Sequence, residues 1–395
     1  MASVRKRILP SGKVCWLVCY NDQAGHRRAW QFELKASAVL FETKVRADVI
    51  SGTHIADRAS ISIREAGELW LKRAERENLE RGTIRQYEQH LRCQILPLIG
   101  EITLSRLTAP TVEQFRDDLL EKCSRALTRA VLTSLKGILK EARRRGLIGH
   151  DPASGVSVKV SKNENRRREI PTKDQIRAIL HRANSWPYTK VQRTRSGESK
   201  IVGISWRAFI VTAVFTGMRC SELRGLTWDR VDWQEGLIQV RQRADFQNTM
   251  GPTKTYAGDR DIPMAPLVMN TLKSWQLICP NWPRNLVFPT ENGTIHSNGN
   301  IHRYCWGPLL HKLGIVKPDG LDNNGSPRLR PALTFHSLRH AAASLFIEQG
   351  WTAKKVQVVM GHSNIAVTFN TYGHLWKDTK SDLDDMAQLE ARLLA

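Results

Sequence analysis

The chain has 395 residues, 41% hydrophobic and 25% charged, and its 60 Lys and Arg against 38 Asp and Glu leave a formal net charge of +22. This composition fits two to three globular domains and excludes a disordered chain; no apolar run approaches the roughly 20 residues of a membrane helix, and the basic segment before Pro10 has no apolar stretch of the signal-peptide kind. A positive excess this large opposes compaction, so it points to a polyanionic partner, nucleic acid ahead of a membrane surface.

In chain order, Val14 to Tyr20 reads as a strand, Asn21, Asp22 and Gly25 as a turn, and Arg27 to Leu34 as a returning strand with Trp30, Phe32 and Leu34 alternating. Lys35 to Ile50 reads as a helix. Residues 1–60 therefore form a small β/α module with a basic side made by Arg5, Lys6, Arg7, Arg27 and Arg28. Residues 61–150 read as nearly all helical. Ser62 with Glu65 and Thr83 with Gln86 have the spacing of capping boxes, Pro97 and Gly100 interrupt, and two helices follow over Thr108 to Cys123 and Ser124 to Arg145. The second of these carries Leu127, Val131, Leu135, Ile138 and Leu139 on one face and stops at Gly146.

Residues 151–171, with Pro152, Ser154, Gly155 and the basic run Arg166 to Arg168, read as a linker. Residues 172–376 form a third domain. Thr172 with Gln175 caps its first helix, Trp206 to Thr216 is apolar all round, and Leu237 to Arg243 and Arg260 to Pro263 read as strands. Thr253 to Asp259 joins those strands through Gly258, and helices are expected from Thr334 onward. A tail over 377–395 carries an apolar stripe of Leu383, Met386, Leu389 and Leu393. The fold class expected is multidomain and mainly α with small β-sheets. Seven scattered cysteines without a CxxC pair argue against a disulfide framework or a zinc site and suit a reducing cytoplasm.

Three clusters in the third domain carry chemistry: Thr216-Gly217-Met218-Arg219-Cys220-Ser221-Glu222-Leu223, His336-Ser337-Leu338-Arg339-His340, and Gly361-His362 followed by Thr371-Tyr372. Each alone is unremarkable as a surface arginine, a solvated helix face or a packed aromatic. In this order, with Lys254 in Pro252-Thr253-Lys254-Thr255 between the first two, they resemble the tyrosine recombinase (phage integrase) family over residues 172–376. The helical domain resembles that family's core-binding domain, and residues 1–60 resemble the arm-binding module of its larger members.

The resemblance implies six catalytic positions: Arg219, Lys254, His336, Arg339, His362 and Tyr372. Two guanidiniums suit the charge that gathers on a phosphodiester under attack, because they are planar, bidentate and permanently protonated. Tyr372 would be the nucleophile, His336 the first candidate for its base, Lys254 the acid for the departing 5′-oxygen, and His362 a phosphate donor. Glu222 would orient the arginines. His340 reads as helix packing or a phosphate contact.

The implied product is a 3′-phosphotyrosyl enzyme that needs no metal, ATP or other cofactor. The implied partners are double-stranded DNA attachment sites, a homotetramer formed on them partly through the tail, and accessory DNA-bending or directionality proteins. No membrane partner is expected, and the setting is cytoplasmic and nucleoid-associated. Integration and excision of a mobile element is the first expectation. A chromosome- or plasmid-resolving recombinase, a topoisomerase-like enzyme and an inactive DNA-binding protein are the alternatives.

Overall fold

The computed structural model describes residues 2–21, 25–50, 60–160, 169–185, 190–193, 199–202, 206–321, 325–376 and 390–392. The chain divides into two compact units, residues 1–166 and 167–395.

The first unit opens with a three-stranded antiparallel sheet, β1 (Ser3–Ile8), β2 (Val14–Asn21) and β3 (Arg27–Phe32), followed by helix α1 (Lys35–Ile50). β1 was not anticipated from its basic sequence. The pleat explains it: the register sets Val4 beside Val18 and Trp30, and Lys6 beside Trp16 and Phe32, on one face. Phe41 of α1 packs on that face against Tyr20, Trp30 and Phe32. Arg5, Leu17 and Gln31 form a row on the opposite face, with Arg7 beside Cys15 in the next.

The helices that follow are α2 (Ile63–Arg76), α3 (Arg81–His90), α4 (Leu96–Ile99), α5 (Ala109–Lys122) and α6 (Arg125–Arg144). The Ser62–Glu65 capping box is present, with both reciprocal hydrogen bonds. Thr83 lies inside α3, which starts at Arg81 after Glu80, so the second box expected here does not form. Val131, Leu135, Ile138 and Leu139 of α6 are fully buried, as their spacing predicts. The linker expected from residue 151 begins later: Ala153, Val156 and Val158 are buried in this helical core, where their apolar side chains are removed from water. The basic run Arg166 to Arg168 lies outside the described residues.

The second unit is built around α8 (Trp206–Thr216), which follows α7 (Lys173–Asn184) and a strand pair β4 (Lys190–Arg193) and β5 (Ser199–Val202). Nine of the eleven residues of α8 are buried, which is why its sequence is apolar on every side. After α8 come α9 (Cys220–Arg224), β6 (Val231–Asp232), β7 (Leu237–Val240), β8 (Gln242–Ala244), β9 (Met250–Pro252), β10 (Arg260–Pro263) and α10 (Pro266–Gln276). The strand expected over Leu237 to Arg243 is broken at Arg241: β7 pairs with β6 and β10, while β8 pairs with β9 as a separate hairpin. The chain continues through α11 (Asn298–Ile301), α12 (Gly307–Lys312), a hairpin of β11 (Val316–Leu321) and β12 (Pro327–Pro331), and then α13 (Ser337–Glu348), α14 (Ala353–Met360) and α15 (Ile365–Tyr372). Helices α7, α10 and α13 pack on α8. Among the described residues, no helix is long and apolar enough to cross a membrane. The apolar stripe from Leu383 to Leu393 lies outside the described residues.

Candidate active site

Two glycines shape the site. α8 ends at Thr216, and Gly217 turns the chain with φ +63° against Ala342 and Met360, leaving no room for a side chain. Arg219 then stands immediately before α9. Gly361 closes α14 in the left-handed conformation (φ +64°), where a β-carbon would lie 2.9 Å from the Ala257 carbonyl oxygen and 3.0 Å from Arg260 Nη1. The geometry common to both points is a close approach of segments far apart in sequence.

The last carbonyls of α14 have no partner within the helix and carry the negative end of its dipole. Three arginines from three elements meet them. Arg260 donates from Nε to the Val359 oxygen at 2.6 Å, Arg339 donates to the Met360 oxygen, and Arg219 donates from Nη2 to the Gly361 oxygen at 2.8 Å. Arg339 also holds the Gly217 oxygen at 2.6 Å. The three guanidiniums are thus fixed around one helix end.

Glu222 supplies the counter-charge. Its Oε1 accepts from Arg219 Nη1 at 2.7 Å and Arg260 Nη1 at 3.2 Å; its Oε2 accepts from the Arg219 backbone N–H and from Arg260 Nη2, both at 2.8 Å. Burial alone would raise this carboxyl, but the charge and hydrogen bonds of Arg260, with the charges of Arg219 and Arg339, outweigh it and hold Glu222 at about 2. Burial, with the nearby charge of Arg219, lowers Arg339 to about 9, which leaves it charged at neutral pH. Arg339 is 4% exposed, whereas the Arg219 side chain is 32% exposed and can reach an anion from solvent.

Tyr372 ends α15 and is 1% exposed, packed with Ala343, Ile347, Val356 and Met360. His340 Nδ1 lies 2.6 Å from its hydroxyl oxygen. His362 stacks nearly parallel to the Tyr372 ring, 6.4 Å between centroids, and its Nδ1 is 2.9 Å from Thr368 Oγ1. Burial first, then the charges of Arg339, Arg219 and Arg260, push His362 down to about 3, so its ring is neutral at physiological pH.

Of the six positions read from the sequence, Arg219, Arg339, His362 and Tyr372 gather around the end of α14. His336 is exposed just before α13 and packs edge-on against His340 at 4.9 Å. Here the structure departs from the expected base: the imidazole in hydrogen-bond reach of the phenol is that of His340, one turn further along the helix. Lys254 is exposed, two residues past β9, in the loop that runs to β10 rather than on the strand pair itself. That loop is tied by Thr253, which donates to Asp259 at 2.5 Å. Its Ala257 carbonyl abuts Gly361.

Arg260 was not singled out from the sequence. The signal was present: β10 alternates buried and exposed, and Arg260 shares the inward face with Ile262. Arg224 is a second buried arginine. It joins α9 to the His296 oxygen at 2.5 Å, to the Asp245 oxygen at 2.9 Å and to Asn248 in the β8–β9 turn. Among the described residues, no cluster of three or more His, Cys, Asp or Glu side chains is arranged to hold a metal ion.

Residues 169–378 match the model of the phage integrase family, and residues 63–120 match the phage integrase N-terminal SAM-like domain. The chain is 27% identical over 276 residues to the tyrosine recombinase XerC of Pseudomonas syringae pv. tomato, covering 70% of this chain and 77% of that protein. It is 24% identical over 357 residues to the prophage integrase IntR of Escherichia coli K12, covering 83% and 79%. Its fold is similar to that of a Tn1549 transposon integrase solved with transposon right end DNA, with a TM-score of 0.64 at 21% identity over 84% of this chain and all of that one. It is similar also to lambda integrase solved as a tetramer on a Holliday junction, with a TM-score of 0.53 at 18% identity over 91% and 95%. The family match spans more than half of the chain and contains every arginine, histidine and tyrosine of the cluster around α14, and the chain belongs to the phage integrase family of tyrosine recombinases.

Proposed function

We propose that the protein is a site-specific DNA strand transferase that integrates and excises a mobile element through a 3′-phosphotyrosyl bond at Tyr372. The observation that carries this reading is the gathering of Arg219, Arg339, His362 and Tyr372 at one helix end, with a single carboxylate, Glu222, between the arginines.

A scissile phosphate at this point would receive guanidinium N–H groups on its non-bridging oxygens, where charge accumulates during displacement. The Tyr372 oxygen attacks phosphorus and the bond to the 5′-oxygen breaks. The phenolic proton leaves toward His340, and the 5′-oxygen takes a proton from Lys254, carried in by its loop. The phosphotyrosyl bond conserves the energy of the cut strand, and a 5′-hydroxyl from the exchanged partner reverses the steps. His336, exposed at the start of α13, is a phosphate donor in this scheme.

The 1–60 module is the second DNA contact of the proposal. Its sheet buries one face against α1 and leaves Arg5, Arg7 and Gln31 on the other, a set that offers both phosphate and base-edge donors. Residues 61–150 are the core-binding domain, 172–376 the catalytic domain, and the 377–395 tail the contact between copies in a tetramer on DNA. Accessory bending proteins and a cytoplasmic, nucleoid-associated setting belong to the same reading. Resolution of chromosome or plasmid multimers is the second reading, supported by the likeness to XerC; the N-terminal sheet favours integration.

The test is a suicide substrate nicked beside the attachment core, analysed on a denaturing gel. Wild-type protein accumulates a covalent adduct, and Tyr372→Phe binds the same duplex without one. An adduct that persists in Tyr372→Phe removes Tyr372 from the role.

A further inference from the structure

Arg260 has little left to offer a substrate. Four of its guanidinium N–H groups are taken, two by the Glu222 carboxylate and one each by the Val359 and Gly258 carbonyls, the last at 2.9 Å from Nη1, whereas Arg339 gives two to protein oxygens. Yet those three partners belong to the three segments that build the site. Glu222 lies on α9 beside Arg219, Gly258 ends the loop that carries Lys254, and Val359 lies at the end of α14 beside Gly361.

We propose that Arg260 is a positioning residue for strand cleavage, holding Glu222 as the charged anchor that aims Arg219 at the scissile phosphate. The proposal rests on the strand-transfer reading above, and it assigns to the strand β10 a role that no residue in contact with DNA performs.

The electrostatics give the pair a directional consequence. The groups facing Glu222 are Arg219 from α9, Arg260 from β10 and Arg339 from α13, with His362 beyond the end of α14 and His340 and Tyr372 behind Arg339. Burial acts on the carboxyl in the opposite sense to all three arginines, and Arg260 is the largest of the three opposing influences. Taking Arg260 away leaves a buried carboxylate with part of its counter-charge gone, so its protonation moves up toward neutrality. A protonated Glu222 accepts a weaker hydrogen bond from Arg219, and the aim is lost as pH falls. A role limited to packing would lower the rate equally at every pH.

The experiment measures single-turnover cleavage of the nicked substrate by full-length wild-type protein, Arg260→Met, Arg260→Lys, Glu222→Gln and the Glu222→Gln/Arg260→Met double variant. The rate of each is expressed relative to wild type, and DNA binding and thermal melting are followed in parallel. The Arg260→Met ratio is expected to fall about tenfold between about pH 8.5 and about pH 6, as for a carboxyl titrating in that window. Arg260→Lys retains the charge and keeps a pH-independent ratio. The double variant also loses the pH dependence, because no carboxyl remains to titrate.

Infrared spectra give a readout independent of cleavage. A protonated-carboxyl band appears at low pH in Arg260→Met and is missing from the double variant. A flat ratio for Arg260→Met, or no such band, overturns the proposal. If Arg260→Met does not fold, Arg260→Gln takes its place: a ratio that falls with pH supports the proposal, and a flat one overturns it. Wild-type protein that forms no adduct at all is a failure of the strand-transfer reading instead, and the infrared comparison still decides whether Arg260 keeps Glu222 charged.

Discussion

The phenol of Tyr372 and the imidazole of His340 share a 2.6 Å hydrogen bond inside the protein, where Tyr372 is 1% exposed. The proposed nucleophile is therefore sheltered before substrate arrives, with an imidazole nitrogen already at its oxygen that can accept the phenolic proton in the tautomer protonated on Nε2. A side chain so placed contributes when the phenol, with an ordinary pKa of about 10, must lose its proton during attack.

It follows that His340→Ala slows adduct formation on the nicked substrate by about 10²-fold, the usual size of a lost general base. His336→Ala, which removes an exposed ring, retains more activity. If the two variants rank the other way, the proton leaves through His336, as the sequence first indicated.

Arg219 and Arg339 both face the proposed phosphate, but they differ in burial, and the difference predicts separate phenotypes. Either change to alanine should reduce cleavage by about 10²–10³-fold, the range for losing one preorganised donor. Arg339→Ala also leaves the Gly217 and Met360 oxygens without their donor in the interior, and should cost about 3 kcal/mol of stability. Arg219→Ala opens a partly solvated position and should cost about 1 kcal/mol. Denaturant melts of the two variants check this; equal losses would mean that Arg339 is not carrying the interior contacts.

Much of this was legible beforehand because it depends on local pattern. The capping residues Ser62 and Thr172, the apolar face of α6 and the all-round apolar α8 follow from periodicity within one element. The candidate site residues are legible through resemblance to a family, since no spacing within the chain brings Arg219 to Gly361. The features that local pattern does not reveal depend on partners distant in sequence. Arg260 is defined by Glu222 and Val359, 38 and 99 residues away. The choice between His336 and His340 turns on the rotation of α13 relative to α15. β1 is a strand because β2 lends it a register, and Thr83 is not a cap because α3 had already begun at Arg81.

Gly361 offers a test of close approach as distinct from backbone strain. Gly350 and Gly361 both have positive φ, +75° and +64°, but a β-carbon at Gly350 meets nothing within 4 Å, whereas one at Gly361 meets the Ala257 oxygen at 2.9 Å. Gly350→Ala should cost about 1 kcal/mol, the conformational penalty alone. Gly361→Ala should cost about 1–2 kcal/mol more, the range for forcing atoms into a packed site. It should also slow cleavage, because the Ala257 segment it displaces belongs to the loop of Lys254. Melting temperatures and adduct rates of both variants decide it, and an indistinguishable pair would show that the loop yields freely.

The neutral state of His362 sets a pH dependence of stability. Burial and the three arginines hold it at about 3 in the folded protein, against about 6.5 in an unfolded chain. His296, lowered by burial and by the charge of Arg224 against the opposing hydrogen bond to the Pro289 oxygen, is held at about 4. Between these values and about 6.5 the unfolded state binds protons that the folded state refuses, so stability is full above neutrality and falls as the solution is acidified. Glu222 adds a loss of its own only below about 4.5, as pH falls toward its folded value of about 2. Melting temperature should therefore be level between about pH 7 and about pH 9, where Arg339 begins to titrate in the folded protein, and decline from about pH 6.5 to 4.5, before Glu222 contributes. His362→Asn should flatten that decline without altering the plateau shape, leaving the part that belongs to His296. Parallel wild-type and His362→Asn curves through that window would mean that His362 takes up its proton as readily folded as unfolded, and that the arginine cluster does not reach it.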